Sequence, residues 1–105
     1  MITISELQAW QLSIQFQWDE EKASGNEKKH GVTFEEARTI FNDPFAMTIA
    51  DPAHSANEDR WLDIGFSSQG RLPVVWYVER GGSIRIIGCR RATTTEARVY
   101  TDERQ

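Results

Sequence analysis

Apolar and polar positions alternate over four stretches in the second half of the chain. These are Phe45–Ala50, Arg60–Ser67, Leu72–Arg80 and Ser83–Arg90, and each predicts a β-strand. Turn signals separate them. Asp51-Pro52 opens a polar loop, Ser68-Gln69-Gly70 makes a short one, and Gly81-Gly82 suits a two-residue hairpin. Pro73 has no N–H to give, so its strand joins the sheet at an edge or only after that residue. A shorter alternation at Ile14–Trp18 predicts one earlier strand. Two helices follow it. The first is capped by Asp19, carries Glu20 and Glu21 in its first turn and Lys28, Lys29 and His30 in its last, and stops at Gly31. The second opens with the capping box Thr33-Phe34-Glu35-Glu36, buries Phe34, Ala37, Ile40 and Phe41, and ends at Asp43-Pro44. Another box, Thr93-Thr94-Thr95-Glu96, starts a last helix through Tyr100. The predicted order is β-α-α-β-β-β-β-α, an α+β domain whose antiparallel sheet carries its helices on one face.

Alternation also sorts the strand residues by face. One side collects Phe45, Met47, Ile49, Leu62, Ile64, Phe66, Leu72, Val74, Trp76, Val78, Ile84 and Ile86, and is expected to be the core. The other collects Ala46, Thr48, Trp61, Asp63, Val75, Tyr77, Glu79, Arg85, Ile87 and Cys89. Aromatics beside an arginine on a sheet can stack bases and hold phosphates, which makes Trp61 and Tyr77 RNA-binding candidates. Burial under a helix or a partner accounts for those two aromatics equally well. Arg60 falls in phase with the core side, and Arg90 is out of phase with Arg85. A β-bulge near Gly88 would bring Arg85 and Arg90 to one face.

Length and composition narrow the class. The chain has 105 residues, which suits a single domain over residues 14–105. Residues 1–13 precede it. There Leu7, Trp10 and Ile14 suit a short amphipathic turn, with a poorly ordered extension as the alternative. No apolar run approaches the roughly 18 residues of a membrane span, and Glu6 without a basic start argues against a secretory leader. The single cysteine fits a reducing cytoplasm.

The formal charge is −4, which by itself argues against a nucleic-acid partner. Its distribution changes that picture. Residues 1–59 hold four Lys/Arg against eleven Asp/Glu, whereas residues 60–100 hold seven arginines against three acids. Such a chain can present a basic surface while acidic overall, and arginine is suited to bidentate phosphate contacts.

Candidate chemistry is sparse. The chain has no P-loop, no GxSxG and no HExxH. His30, His54 and Cys89 lack ligand spacing, so no metal and no other cofactor is expected. A ribonuclease without a metal needs a base for the 2′-hydroxyl, cations for the phosphorane charge and an acid for the leaving oxygen. Lys22, Arg60, Arg85, Arg90 and Arg91 can supply charge. His30, Lys29, Glu58 and Tyr100 can move protons. Several of these have structural readings too: His30 complements a helix dipole, Glu58 and Arg60 suit a pair across a strand edge, and Glu96 is explained by its capping box. Cys89 reads as a packing residue.

Three pieces of the sequence taken together resemble one family. They are Phe16-Gln17-Trp18-Asp19 with Lys22-Ala23, Asn26 and Lys29-His30-Gly31; Glu58-Asp59-Arg60; and Ile84-Arg85-Ile86-Ile87-Gly88-Cys89-Arg90-Arg91-Ala92. Their order and spacing resemble the BrnT toxins of bacterial type II toxin–antitoxin systems, from about Ile14 to Tyr100. The resemblance implies a RelE-like fold and a metal-independent endoribonuclease that arrests growth. It implies a BrnA-like antitoxin with a ribbon-helix-helix domain as partner, and DNA contacted only through that complex. It carries over Lys22, Asn26, Lys29, His30, Glu58, Arg60, Arg85, Arg90, Ala92, Glu96 and Tyr100 as motif positions. The chain departs from the pattern at Gly88-Cys89, where Ser-Ala is common, and at Ala97, where arginine is common. Two other readings compete with the active nuclease: a degenerate toxin that only binds antitoxin, and a toxin of similar fold that attacks a protein.

Overall fold

The computed structural model describes residues 14–55 and 57–103, so the expected extension 1–13 lies outside the described residues. The elements are β1 (Gln15–Gln17), α1 (Glu20–His30), α2 (Phe34–Thr39), β2 (Met47–Ala50), β3 (Arg60–Ile64), β4 (Pro73–Arg80), β5 (Ser83–Arg91) and α3 (Thr94–Glu103). Short 3-10 turns at Ile40–Asn42 and Pro52–His54 flank β2.

Helix α1 begins and ends on the expected chemistry. The Asp19 carboxylate accepts the Lys22 N–H at 3.0 Å, and Gly31 takes the left-handed conformation with φ 71°. At the start of α2 the Thr33 hydroxyl accepts the Glu36 N–H at 3.0 Å. Glu36 does not reach back to complete a box. Its buried carboxylate accepts from Ser67 Oγ at 2.7 Å and from Arg71 Nε at 3.0 Å, with a second Arg71 contact beside it. Arg71 also donates to the Gly31 carbonyl at 3.1 Å, so one guanidinium ties the α1–α2 junction to the β3–β4 loop.

Five strands form one sheet in the order β1-β5-β4-β3-β2. Strands β2 to β5 are an antiparallel meander, as the turn signals indicated. The expectation of an antiparallel sheet is corrected at its edge, where β1 runs parallel to β5 and makes the sheet mixed. The expectation that the helices share one face is also corrected. Val75 packs with Val32, Phe34, Ala37 and Ile40 below α1 and α2, whereas its neighbour Val74 packs with Ile64 and Tyr100 of α3. Consecutive strand residues point to opposite faces, so the sheet is covered on both. The apolar run Val74-Val75-Trp76-Tyr77-Val78 is what a strand buried on both faces looks like. Pro73 is the first residue of this central strand, where no ladder donor is lost.

A bulge in β5 reassigns the faces. Trp76 pairs with Gly88 and Tyr77 with Ile86, which leaves Ile87 as the extra residue. Arg85 therefore pairs with Val78 and Arg90 with Val74, and both arginines share a face, as a bulge near Gly88 predicts. That face is the one with Leu62, Ile64, Trp76 and Val78. The sequence expectation of Arg85 on the other side fails because the tight Gly81-Gly82 hairpin pairs Arg80 with Ser83 and so Val78 with Arg85; the extra residue Ile87 then brings Arg90 to the same face. Ile84 and Ile86 correspondingly lie with Val75 and Tyr77. Phe45, Ile49 and Phe66 were also expected in the core but remain 53%, 44% and 42% exposed. Asp43 explains two of them, since its carboxylate accepts the Phe45 and Phe66 N–H groups at 2.9 and 2.8 Å and holds both residues outside the strands.

Candidate functional site

Cross-strand pairing builds three rows on the face that α3 covers at one end. They are Ile64–Val74–Arg90, then Leu62–Trp76–Gly88, then Arg60–Val78–Arg85. Tyr100 of α3 seals the first row, packed against Ile64 and Val74. At the third row lies a cleft of about 280 Å³, lined by Lys22, His54, Asn57, Glu58, Arg60, Val78, Arg80, Arg85 and Ile87. These residues come from α1, the β2–β3 loop and strands β3, β4 and β5.

The β2–β3 loop is fastened to the first residue of β3. Asp51 N–H donates to the Arg60 carbonyl at 2.9 Å, and the Arg60 N–H donates to Ser55 Oγ at 2.9 Å. Ser55 Oγ in turn donates to the Asp51 carbonyl at 2.6 Å. These bonds set His54 beside Arg60. His54 Nδ1 lies 3.0 and 3.2 Å from the two Asp51 carboxylate oxygens.

Four cations, Lys22, Arg60, Arg80 and Arg85, face one carboxylate in the cleft. That carboxylate, Glu58, is held by Arg80 through two bonds of 3.0 and 2.8 Å, and Arg80 keeps it below the ordinary carboxylate range. The expected Glu58–Arg60 pair is thus replaced by Glu58–Arg80. Arg60 has a buried Nε with no hydrogen-bond partner. The Arg85 guanidinium likewise makes no side-chain hydrogen bond or ion pair among the described residues.

Of the residues singled out from sequence, Lys22, Glu58, Arg60 and Arg85 meet in this cleft. The others lie elsewhere. Arg90 shares the face but is occupied by Glu96, at 2.7 and 2.9 Å. That guanidinium, with the Thr93 N–H, holds the Glu96 carboxyl down to about 2. Tyr100 is buried and donates to Asp43 at 2.6 Å. Lys29 and His30 end α1 without lining the cleft. Arg91 lies beside Arg71, Leu72, Ala92 and Ala97. Trp61 pairs with Tyr77 on the opposite face. Tyr77 is 4% exposed, sits edge-on to Phe41 and donates to Asp63 at 2.9 Å, so its ring offers no surface for a base. Cys89 is buried, accepts from Asn26 Nδ2 at 3.1 Å, and has its thiol pushed up to about 11 by burial. A thiolate nucleophile is disfavoured there. Among the described residues no three His, Cys, Asp or Glu side chains gather where they could hold a metal ion.

His54, Asn57 and Arg80 line the cleft although the sequence reading did not single them out for it. His54 had a signal, an aspartate three positions earlier across Pro52. Arg80 had only its place beside the Gly81-Gly82 turn, and its pairing with Glu58 depends on the strand register.

Residues 18–96 match the family described as the ribonuclease toxin, BrnT, of type II toxin–antitoxin systems. The chain belongs to the BrnT family. No curated protein matches it. Among solved structures, the 1.1 Å crystal structure of the Brucella abortus ribonuclease toxin, BrnT, is similar, with a TM-score of 0.62 and 24% identity over 77% of this chain and 99% of that one. At that identity the likeness is one of fold. It places the BrnT architecture around the cleft, and the family description gives the chain its class, a ribonuclease toxin of a type II system. No described helix is long and apolar enough to cross a membrane.

Proposed function

We propose that this BrnT protein is a metal-independent endoribonuclease that cuts RNA in the Arg60–Arg85 cleft and arrests growth in the cytoplasm. Its sheet is used in the manner of RelE-type toxins. A BrnA-like ribbon-helix-helix antitoxin neutralises it, and DNA is reached only through that complex. The observation that carries the reading is the Arg60 side chain. A buried donor without a partner costs about 1–3 kcal/mol, so the position favours a ligand that brings an acceptor. Arg85 stands across Val78 on the same row, and Lys22 adds a third charge. An RNA phosphodiester fits that set, because its two free oxygens accept from guanidinium forks and its transition state gains negative charge. Arg90, already engaged by Glu96, serves here as support for α3.

Purified protein incubated with RNA in EDTA is expected to leave 2′,3′-cyclic phosphate and 5′-hydroxyl ends. Arg85→Ala should lose about a hundredfold or more in rate, roughly 3–4 kcal/mol by comparison with other preorganised charge-stabilising donors. Its melting temperature should hardly move, since a surface ion pair is worth under about 1 kcal/mol and Arg85 has none to lose. Lysine at position 85 should rescue poorly, because it keeps the charge and loses the planar fork. Activity lost in EDTA and restored by Mg²⁺ would exclude the metal-free route. Wild-type protein that binds antitoxin and cuts nothing would make the chain a binding module.

A further inference from the structure

Among the described residues that line the cleft, His54, paired with Asp51 behind it, is the one proton-transfer group whose working atom is not already spent. Glu58 has both oxygens on Arg80, and that contact holds it in the charged form. Lys22 is a cation on the first turns of α1. Tyr100 is buried against Asp43, and neither His30 nor Lys29 lines the cleft. His54 does line it, from a 3-10 turn pinned to Arg60 by the Ser55 and Asp51 hydrogen bonds. A carboxylate can only accept, so the contact with Asp51 places the proton on Nδ1, and the neutral ring then keeps its lone pair on Nε2. A base oriented by a carboxylate beside cations that await a phosphate is the working arrangement of an acyl- or phosphoryl-transfer site.

We propose that His54 Nε2 takes the proton from the 2′-hydroxyl of RNA bound across Arg60 and Arg85, with Asp51 as the residue that positions it. This rests on the ribonuclease reading of the same cleft. In the step, the 2′ oxygen gives up its proton to Nε2 and uses its electron pair to bond to phosphorus. The bond from phosphorus to the 5′ oxygen breaks, and its pair leaves with that oxygen, which takes a proton from solvent. The imidazolium returns its proton to solvent. Products are a 2′,3′-cyclic phosphate and a 5′-hydroxyl, with no oxidant, reductant or metal consumed.

The test is single-turnover cleavage of an end-labelled oligoribonucleotide by wild type, His54→Ala, His54→Gln, Asp51→Asn and the Asp51→Asn/His54→Ala double variant. His54 is largely exposed, so its replacement opens no core cavity, and thermal melts should match wild type. Loss of a general base is expected to slow cleavage about 10²- to 10⁴-fold with RNA affinity unchanged. Added imidazole should restore part of the rate to His54→Ala, which a structural role would not allow. Asp51→Asn should slow the reaction less, and the double variant should be no slower than His54→Ala alone, since the positioning residue acts only through the histidine. With a 5′-bridging phosphorothiolate, whose sulfur leaves without protonation, the His54→Ala defect should persist. Wild type that cleaves while His54→Ala cleaves within about threefold of it overturns this assignment and leaves the ribonuclease reading standing. A defect that vanishes on the phosphorothiolate overturns it too, because His54 would then be the acid. Wild type that does not cleave overturns both.

Discussion

At the scale of single residues, Gly88 is required by the side chain packed over it. A Cβ built there would stand 2.6 to 2.7 Å from three atoms of the Trp76 indole, closer than side chains approach. Trp76 is the cross-strand partner of Gly88, so the ring occupies the space that a serine would fill. Gly88→Ser is therefore expected to destabilise the fold by about 1–3 kcal/mol, as overpacking does, and to raise the unfolding rate. Pairing it with Trp76→Val should recover most of that loss. Equal melting temperatures for Gly88→Ser and wild type, by thermal denaturation, would mean that the indole moves aside freely. Cys89 beside it needs no such account. It fits between Asn26 and the Val32 carbonyl, and its backbone N–H donates to Asn26 Oδ1 at 3.1 Å. The motif residue Asn26 is thereby explained as a fastener of α1 to β5.

At the scale of elements, the capping box of α3 is where sequence and structure agree atom by atom. Glu96 N–H donates to Thr93 Oγ1 at 3.1 Å, and Thr93 N–H donates to Glu96 at 2.8 Å. Arg90 joins the box, so one carboxylate binds helix start and strand end together. Its value of about 2 lies below the ordinary 4.5, so the folded protein resists protonating Glu96 more than the unfolded chain does. The stability this gives is present above pH 4.5 and is lost as the pH falls toward 2. Glu96→Gln should be less stable than wild type at neutral pH, and the gap should close across that acid window in urea titrations. A gap that stays constant would show that the carboxylate charge is not the source. The thirteen-residue N-terminal stretch aside, element boundaries shifted by only a few positions. The larger shifts, at Phe45 and Phe66, trace to Asp43, whose two loop contacts no local pattern announces.

For the whole molecule, part of the arginine-rich half gathers at one cleft. Arg60, Arg80 and Arg85 come from three different strands and converge with Lys22 from the acidic half. Arg71, Arg90 and Arg91 do not join them. Single-stranded RNA binding should then weaken with salt with a log–log slope near −2 to −3, about 0.7 for each neutralised phosphate. Removing Arg60 or Arg85 should flatten that slope by about 0.7 each, and removing Arg91 should leave it alone. An unchanged slope after both removals, by fluorescence anisotropy, would move the RNA path off this cleft.

What the linear order determined by itself was local. Caps at Asp19, Thr33 and Thr93, the stop at Gly31, the hairpin at Gly81-Gly82 and the order of elements follow from side-chain chemistry within a few residues. The motif pieces around Lys22, Glu58, Arg60 and Arg85 also named the family that residues 18–96 match. The tertiary structure decided what depends on distant pairing. The parallel partner of β1 and the second helix-covered face are set by which sheet edge and which apolar surface remained unsatisfied. The face of Arg85 is set by the hairpin register that pairs Arg80 with Ser83, and that of Arg90 by one extra residue, Ile87, because strand side chains alternate with period two and a single insertion inverts everything after it. Cross-strand pairing brings Arg85 into line with Arg60 and Val78, and the β2–β3 loop sets His54 at a cleft that its own neighbourhood in sequence does not reveal.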